Sequence, residues 1–516
     1  MAHTENKRPR AVRLNPGIRI SLASAILLSG VALPVLAADW KVERSLTVSE
    51  RYTDNVNLAP AGQPRESDLI TQIRPAVQVS KTGARLKVRA NYALQSLSYV
   101  NNSENNSLNH QLNAAANAEL LDDFLFLDAR TTVSQQNISA LAPIGFDNTN
   151  ATQNLTTVGT YSVSPYIKKR FGSFAKGDFR LTRSGVYYDT RSASDAVVDS
   201  MAGALTSGTA FNDLFWGLNY SSTKNNNQSG ADTEFERASA TLGYALTRKF
   251  RVNGTVGTER NNFISVGDNK VDGPFWNAGF SWTPTSRTSV AATFGERFFG
   301  RTYSFDLRQR TRHTNWRASY SENVATTSAT SLSLALLGDA YVCTPPPDIN
   351  YPTAVDKRTG IIFYLIPPGE VPLGCTQVGT AFTPELSLTR ETFIAKNLTA
   401  GVGVNVGKSN YNLGIYSRRR DLQQSGTHDR QSGVNAGWNW RFAPYTTFNL
   451  NGNLSRFEVP AESREDDLWS VAGSLTHRFR PKLSGSVVAR HQARSSNQPG
   501  NDFTENSITA HVSMGF

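Results

Sequence analysis

The window 433–442, "GVNAGWNWRF", divides by parity: Val434, Ala436, Trp438, Trp440 and Phe442 form one set, and Gly433, Asn435, Gly437, Asn439 and Arg441 the other. A strand sends alternate side chains to opposite faces, whereas a helix would mix the two sets around its circumference, so the window predicts a strand with one apolar face. The pattern recurs. Trp276, Ala278, Phe280 and Trp282 oppose Asn277, Gly279 and Ser281. Leu86, Val88, Ala90, Tyr92 and Leu94 oppose Arg85, Lys87, Arg89 and Asn91, and Phe448, Leu450, Gly452 and Leu454 oppose Asn449, Asn451, Asn453 and Ser455. These second faces are polar enough to meet water.

Two architectures use such strands: a soluble antiparallel sheet system around an internal core, or a membrane barrel with its apolar face outward and a wet interior. One soluble sandwich does not absorb so many strands, and several would need linkers, yet no Pro/Gly/Ser-rich linker or charge block divides the chain. A hydrophobic content of 39% is low for filling the cores of so long a chain but suffices for a lipid-facing band. Short polar turns fall near 81–84, 122–123, 170–173, 211–213, 247–249, 283–287, 407–410, 443–446 and 479–482, with longer loops such as 101–107, 225–233 and 459–466 between them. The expectation is all-β: a transmembrane antiparallel β-barrel of the bacterial outer membrane with about 22 strands, within roughly 20 to 24. Its short turns and both chain ends are periplasmic and its long loops extracellular.

The start of the chain adds the compartment. Lys7, Arg8, Arg10, Arg13 and Arg19 stand against one carboxylate before the apolar run "ISLASAILLSGVALPVLA", which ends in small residues. That order reads as a secretory signal peptide, 1–37, cleaved between Ala37 and Ala38, with a retained anchor as the competing reading. The mature chain, 38–516, is then a single barrel whose first strand begins almost at once, leaving no room for a plug domain. Beyond the leader, no apolar run approaches the roughly 18 residues of a spanning helix. Taking the leader's five basic and one acidic residue from the 53 and 42 of the whole chain leaves a net charge of +7 without a concentrated basic tract. Nucleic acid is therefore not an expected partner.

The chain stops on "SITAHVSMGF", where Ile508, Ala510, Val512, Met514 and Phe516 share one parity. A terminus patterned to its last residue is held in a sheet rather than fraying. The segment resembles the closing strand of outer-membrane barrels, and that resemblance implies recognition by the barrel assembly machinery. The mature start, "ADWKVERSLTVSERYTDNVNLAP", with Tyr52, Thr53, Asp54, Asn55, Val56 and Asn57, is similar to the opening of outer-membrane proteins associated with the PEP-CTERM/exosortase system, as is the segment 393–421. The resemblance implies an integral barrel of a Gram-negative outer membrane, set among lipid and lipopolysaccharide and working beside exopolysaccharide and periplasmic export components. Its expected role is a polysaccharide export route or docking component. A general or anion-preferring diffusion porin and a structural or adhesive barrel are the alternatives.

Cys343 and Cys375 are the only cysteines. An oxidising periplasm and an even count favour a disulfide, which would close a long, Pro-rich extracellular loop at about 339–384 and restrict its unfolded states by on the order of 3 to 4 kcal/mol. The apolar stretch 361–368 inside it suggests a folded cap, an infolded constriction or a contact site, against a loop that merely packs on its own barrel. Arg85, Lys87, Arg89 and Arg441 take lumen-facing parity and could attract anions. Arg308, Arg310 and Arg312 share parity with Trp316, which would put them toward lipid unless they lie above the membrane or a bulge switches the phase.

Catalysis has little support. "GVGVNVGKSN", 401–410, has Val402 where a phosphate-binding loop needs Gly, so Gly407, Lys408 and Ser409 read as a hairpin turn. The histidines after the leader have no metal-ligand spacing, and no nucleophile elbow or paired-histidine zinc motif occurs. No enzymatic activity, cofactor or metal is expected.

Overall fold

The structure, a computed structural model, describes residues 40–145, 147–190, 194–228, 231–266, 270–330 and 389–516, together with the backbone of short elements between 331 and 388. The expected leader and its Ala37–Ala38 cleavage point lie outside the described residues. The first strands are β1 (Trp40–Thr53), β2 (Asp68–Thr82), β3 (Leu86–Tyr99), β4 (Ser107–Leu121), β5 (Leu125–Asn137), β6 (Leu155–Phe171), β7 (Ala175–Tyr188) and β8 (Ala196–Ser207). They are followed by β9 (Leu214–Asn227), β10 (Thr233–Thr247), β11 (Phe250–Asn261), β12 (Gly273–Thr285), β13 (Thr288–Arg297), β14 (Gly300–Arg310) and β15 (Thr314–Ala325). A helix α1 (Thr327–Leu334) and four short strands, β16 (Asp339–Cys343), β17 (Thr353–Val355), β18 (Ile362–Ile366) and β19 (Cys375–Thr380), make up the long excursion. The wall resumes with β20 (Phe393–Val406), β21 (Ser409–Leu422), β22 (His428–Ala443), β23 (Thr446–Val459), β24 (Arg464–Arg480), β25 (Leu483–Ser496) and β26 (Phe503–Gly515).

Twenty-two of these strands form one antiparallel sheet in which each pairs with its neighbour in sequence, β15 pairing with β20 across the excursion. The sheet closes on itself. β1 runs against β26 from Ser45↔Gly515 to Thr53↔Ser507, and the Phe516 N–H donates to the Arg44 carbonyl at 2.9 Å. Closure satisfies both edges, so no strand of the wall is left as a template for aggregation. At the other end of the seam, Asp54 accepts from the backbone and side-chain amides of Asn506, at 2.7 Å each. Asn55 donates to the Thr504 carbonyl at 2.9 Å. The Tyr-Thr-Asp-Asn segment thus latches the first strand to the last.

Parity carries through to the two faces. Val48, Leu218, Trp276, Phe305, Leu413, Leu454 and Val512 are exposed on the outside, while Thr47, Gln95, Thr160, Asn225, Asn449, Gln492 and Glu505 are buried on the inside. Each large apolar side chain left in water forgoes about 1.5 to 3 kcal/mol. A belt of them around a whole barrel therefore identifies hydrocarbon as its solvent. A closed antiparallel barrel with such a belt and a polar interior is a transmembrane barrel of the outer-membrane type. No helix among the described residues is long and apolar enough to cross a membrane.

Tight turns at 83–85, 122–124, 172–174, 248–249, 407–408, 444–445 and 481–482 gather at the end where β1 begins and β26 finishes. Gly407, at φ +57, shapes the two-residue turn between β20 and β21, so the Gly-Lys-Ser triplet is a hairpin. The opposite end carries 54–67, 138–154, 262–272 and 326–392. A turn the sequence pattern did not signal, 311–313, separates β14 from β15. It resets the phase: Arg308 pairs inward with Asp306, which Arg317 also approaches, while Trp316 faces out opposite Gln309. Counting parity from Trp316 through a hairpin had set Arg308 on the wrong face.

In the excursion, β17, β18, β16 and β19 form a separate four-stranded sheet, and Cys343 stands opposite Cys375 in the β16–β19 register. The side chains of this sheet lie outside the described residues. Helix α1 comes against β7, eight wall strands from β15.

Candidate functional site in the barrel lumen

The connection between β5 and β6, residues 138–154, turns inward and lies against the inner wall across the closure seam. Its neck is tied by Asn154, whose side chain accepts from the Ser139 N–H at 2.9 Å and donates to the Ser139 and Pro143 carbonyls at 2.8 and 3.2 Å. From there the loop meets residues of inward parity on β1, β3 and β23–β26.

Arg51 on β1 is the centre of the contact. Its guanidinium reaches Asp147 at 2.5 Å and Glu505 at 2.7 Å, and donates to the Thr149 hydroxyl and, at 3.4 Å, to Asn150. Glu505 on β26 also receives Thr53 at 2.6 Å, Asn150 at 2.8 Å and Gln492 at 2.6 Å. Asp147 takes a second cation, Arg490 of β25, at 3.0 Å. Arg51 and Glu505 are fully buried, so each charge depends on these partners for the solvation that water would have supplied. Burial alone would raise the Asp147 carboxyl; the charges of Arg51 and Arg490 and hydrogen bonds from Thr149 and Arg490 outweigh it and hold the group well below the usual carboxylate range.

A second set of contacts holds the loop backbone. Arg494 donates to the Ala142 carbonyl at 2.5 Å and the Leu141 carbonyl at 2.8 Å while pairing with buried Asp466 at 2.6 Å. Arg464 binds Asp466 at 2.8 Å and also donates to the Leu141 carbonyl. Loop carbonyls inside a barrel lack the strand partners that a ladder provides, and these two arginines replace them. On β3, Gln95 and Asn148 exchange hydrogen bonds at 2.6 and 3.0 Å, and the Tyr99 hydroxyl donates to the Thr149 carbonyl at 2.9 Å. Apolar contacts finish the seating: Ala140 and Ile144 with Phe457 and Leu468, and Ala151 with Val56, Ile70, Leu97 and Tyr99. The loop is a built fixture of the inner wall, charged at its centre and apolar at both shoulders.

The basic residues singled out by parity do not converge on it. Lys87 and Arg89 occupy inward positions of β3. Arg441 holds inward parity near the short-turn end of β22, seven strands away around the wall. Arg85 falls in the turn before β3 and pairs with Asp122 of the next turn, both well exposed. Ile508, Ala510, Val512 and Met514 share the outer face of β26, and Phe516 is exposed at the rim. Among the described residues no group of His, Cys, Asp or Glu is arranged to hold a metal ion.

Sequence reasoning overlooked the loop itself, although "ALAPIGF" at 140–146 is an apolar stretch inside a connection, with Asp147 the only charge between 138 and 154. That combination outside the strand rhythm was the available signal.

No family model and no curated protein matches this chain. Solved structures similar to it include the siderophore receptor PirA from Pseudomonas aeruginosa, 11% identical over 93% of this chain and 80% of that one, with a TM-score of 0.47. The FrpB iron transporter (F5-1 variant) from Neisseria meningitidis is 9% identical over 93% and 83%, with a TM-score of 0.48. The ferric-catecholate import receptor Fiu from E. coli K12 is 9% identical over 92% and 81%, with a TM-score of 0.48. Likenesses this remote assign no ligand to the chain.

Proposed function

We propose that this protein is a non-enzymatic transport conduit of the bacterial outer membrane, belonging to an exopolysaccharide/exosortase (PEP-CTERM) system, in which the loop 138–154 sets the width of the passage. The observation that carries the reading is the loop's anchorage: ion pairs from Asp147 to Arg51 and Arg490 of the wall and a set of backbone contacts from Arg464 and Arg494 fix it inside a polar lumen. A barrel serving only as an outer scaffold gains nothing from such a fixture, whereas a conduit gains a defined aperture. The polysaccharide cargo rests on the resemblance of the 38–60 and 393–421 segments.

An anion-preferring porin is the second reading, favoured by the excess of Arg51, Arg464, Arg490 and Arg494 over Asp147, Asp466 and Glu505 around the loop. Planar-bilayer recording separates the two. The full chain is expected to carry a salt-dependent current that rises when 141–150 is replaced by a short Gly-Ser bridge; no current from either protein overturns transport altogether. In a salt gradient, a strong anionic reversal potential selects the porin. Loss of the gene is expected to lower surface polysaccharide, and unchanged polymer overturns that cargo.

A further inference from the structure

Away from the seam clamp, the inner faces of β21, β22 and β23 carry Asn410 and Asn412, Asn435 and Asn439, and Asn449, Asn451 and Asn453. The registers align them in rows: Asn410, Asn439 and Asn449; Asn412, Gly437 and Asn451; Asn435 and Asn453. Inward charges on these three strands stand only above the rows, at Arg418, Arg420 and Asp429, and below them, at Arg441. The middle of this wall is neutral.

Two of the amides are structural. Asn439 and Asn449 are buried and bonded to one another, and Asn449 reaches Ser474 at 3.4 Å. At the upper edge, Asn453 donates to Ser455 at 3.0 Å, and Ser455 meets the Tyr416 hydroxyl at 2.7 Å. The side chains of Asn410, Asn412, Asn435 and Asn451 differ: they are half-buried and form no hydrogen bond to another described residue. The oxygens of Asn412 and Asn451 fold over the bare backbone of Gly437, where any Cβ would collide with them.

We propose that this amide wall is a binding track for an uncharged, polyhydroxylated chain, a neutral oligosaccharide, inside the lumen; the proposal rests on the transport reading above and deepens it. An amide side chain both donates and accepts, as do vicinal hydroxyls, so one asparagine can engage two neighbouring hydroxyls of a sugar. Same-face residues repeat at about 6.6 Å along a strand and about 4.8 Å between strands. That grid offers a sliding polymer equivalent partners at successive steps, the weak multi-site binding that movement requires. An anion finds no cation in the middle of this wall, and a cation no carboxylate. An apolar solute would strip the amides of water and return no hydrogen bond.

The test uses the full-length chain in planar bilayers with a neutral malto-oligosaccharide and an anionic oligogalacturonate as probes. The neutral sugar is expected to interrupt the current in a concentration-dependent way. The triple variant Asn412→Ala/Asn435→Ala/Asn451→Ala, with the heat-induced gel shift of a folded barrel, is expected to bind it about tenfold or more weakly for the loss of several hydrogen bonds. Equal blockage in wild type and variant, no blockage by the neutral sugar, or preferential blockage by the anionic one overturns the track. If the barrel passes no current, the conduit reading falls instead, and calorimetry on the detergent-solubilised chain decides the track. Sugar binding lost in the triple variant supports the track there, and binding absent from the wild type or equal in both overturns it.

Discussion

The clamp at the seam and the amide wall of β21–β23 are both polar, inward-facing surfaces, yet they use their hydrogen-bonding capacity in opposite ways. In the clamp, Glu505 accepts from Arg51, Thr53, Asn150 and Gln492, and Asp147 is bracketed by two guanidinium groups. On the amide wall, Asn412, Asn435 and Asn451 keep their capacity open to the lumen. Inward parity alone cannot tell a support from a site. The difference lies in whether each polar atom has already met its partner inside the protein.

Arg51→Ala should break the comparison hardest. It leaves buried Glu505 without its cation and takes from half-buried Asp147 one of its two guanidinium partners, a loss of about 3 to 5 kcal/mol. The expected outcome is release of the loop, read as new protease cleavage within 138–154 and a lower midpoint for the heat-induced gel shift of the barrel. Cleavage resistance equal to wild type would show that the clamp does not hold the loop. Gly437→Val should act more mildly, at about 1 to 3 kcal/mol, because its side chain must displace Asn412 and Asn451. It should lower the same midpoint while leaving the loop uncut, since distant sites act independently; cleavage of the loop in this variant would mean that the two walls are coupled.

The smallest effect concerns pH. A carboxyl held below its ordinary value contributes stability that is fully present above the unfolded value of about 3.9 and is lost as the pH falls toward the folded one. For Asp147, therefore, loop protection should be flat from pH 8 to 5 and decline only below about 4. Release of the loop already near pH 6, measured by the same proteolysis, would assign control to a different group.

How far these features can be read from the sequence follows from their range. Period-two alternation is local, so the strands, the closing segment at 508–516 and turns such as 407–408 are legible in short windows, and twenty-two strands follow from counting them. The turn at 311–313 escaped because "RQRTRHTNW" contains neither Gly nor Pro to mark a reversal. The long excursion drew attention by its cysteines and prolines, whereas the loop found in the lumen is shorter and carries one charge. Docking is set by Arg51, Arg490 and Glu505, whose meeting with 138–154 no local pattern encodes. The open amides look identical in sequence to Asn439 and Asn449; only the cross-strand register separates the bonded pair from the rest.

The position of the loop also ties it to the closure of the sheet. It lies early in the chain, but much of its seat is built from β23 to β26, and Arg51 and Glu505 stand on the two strands whose pairing closes the ring. Until that pairing is made, the segment has an incomplete surface on which to settle and two of its anchoring charges are apart. The full seat of the loop therefore exists only on a finished circumference. The residues that seat the loop and the residues that bring the two ends of the sheet together are in part the same, Arg51 and Glu505 among them.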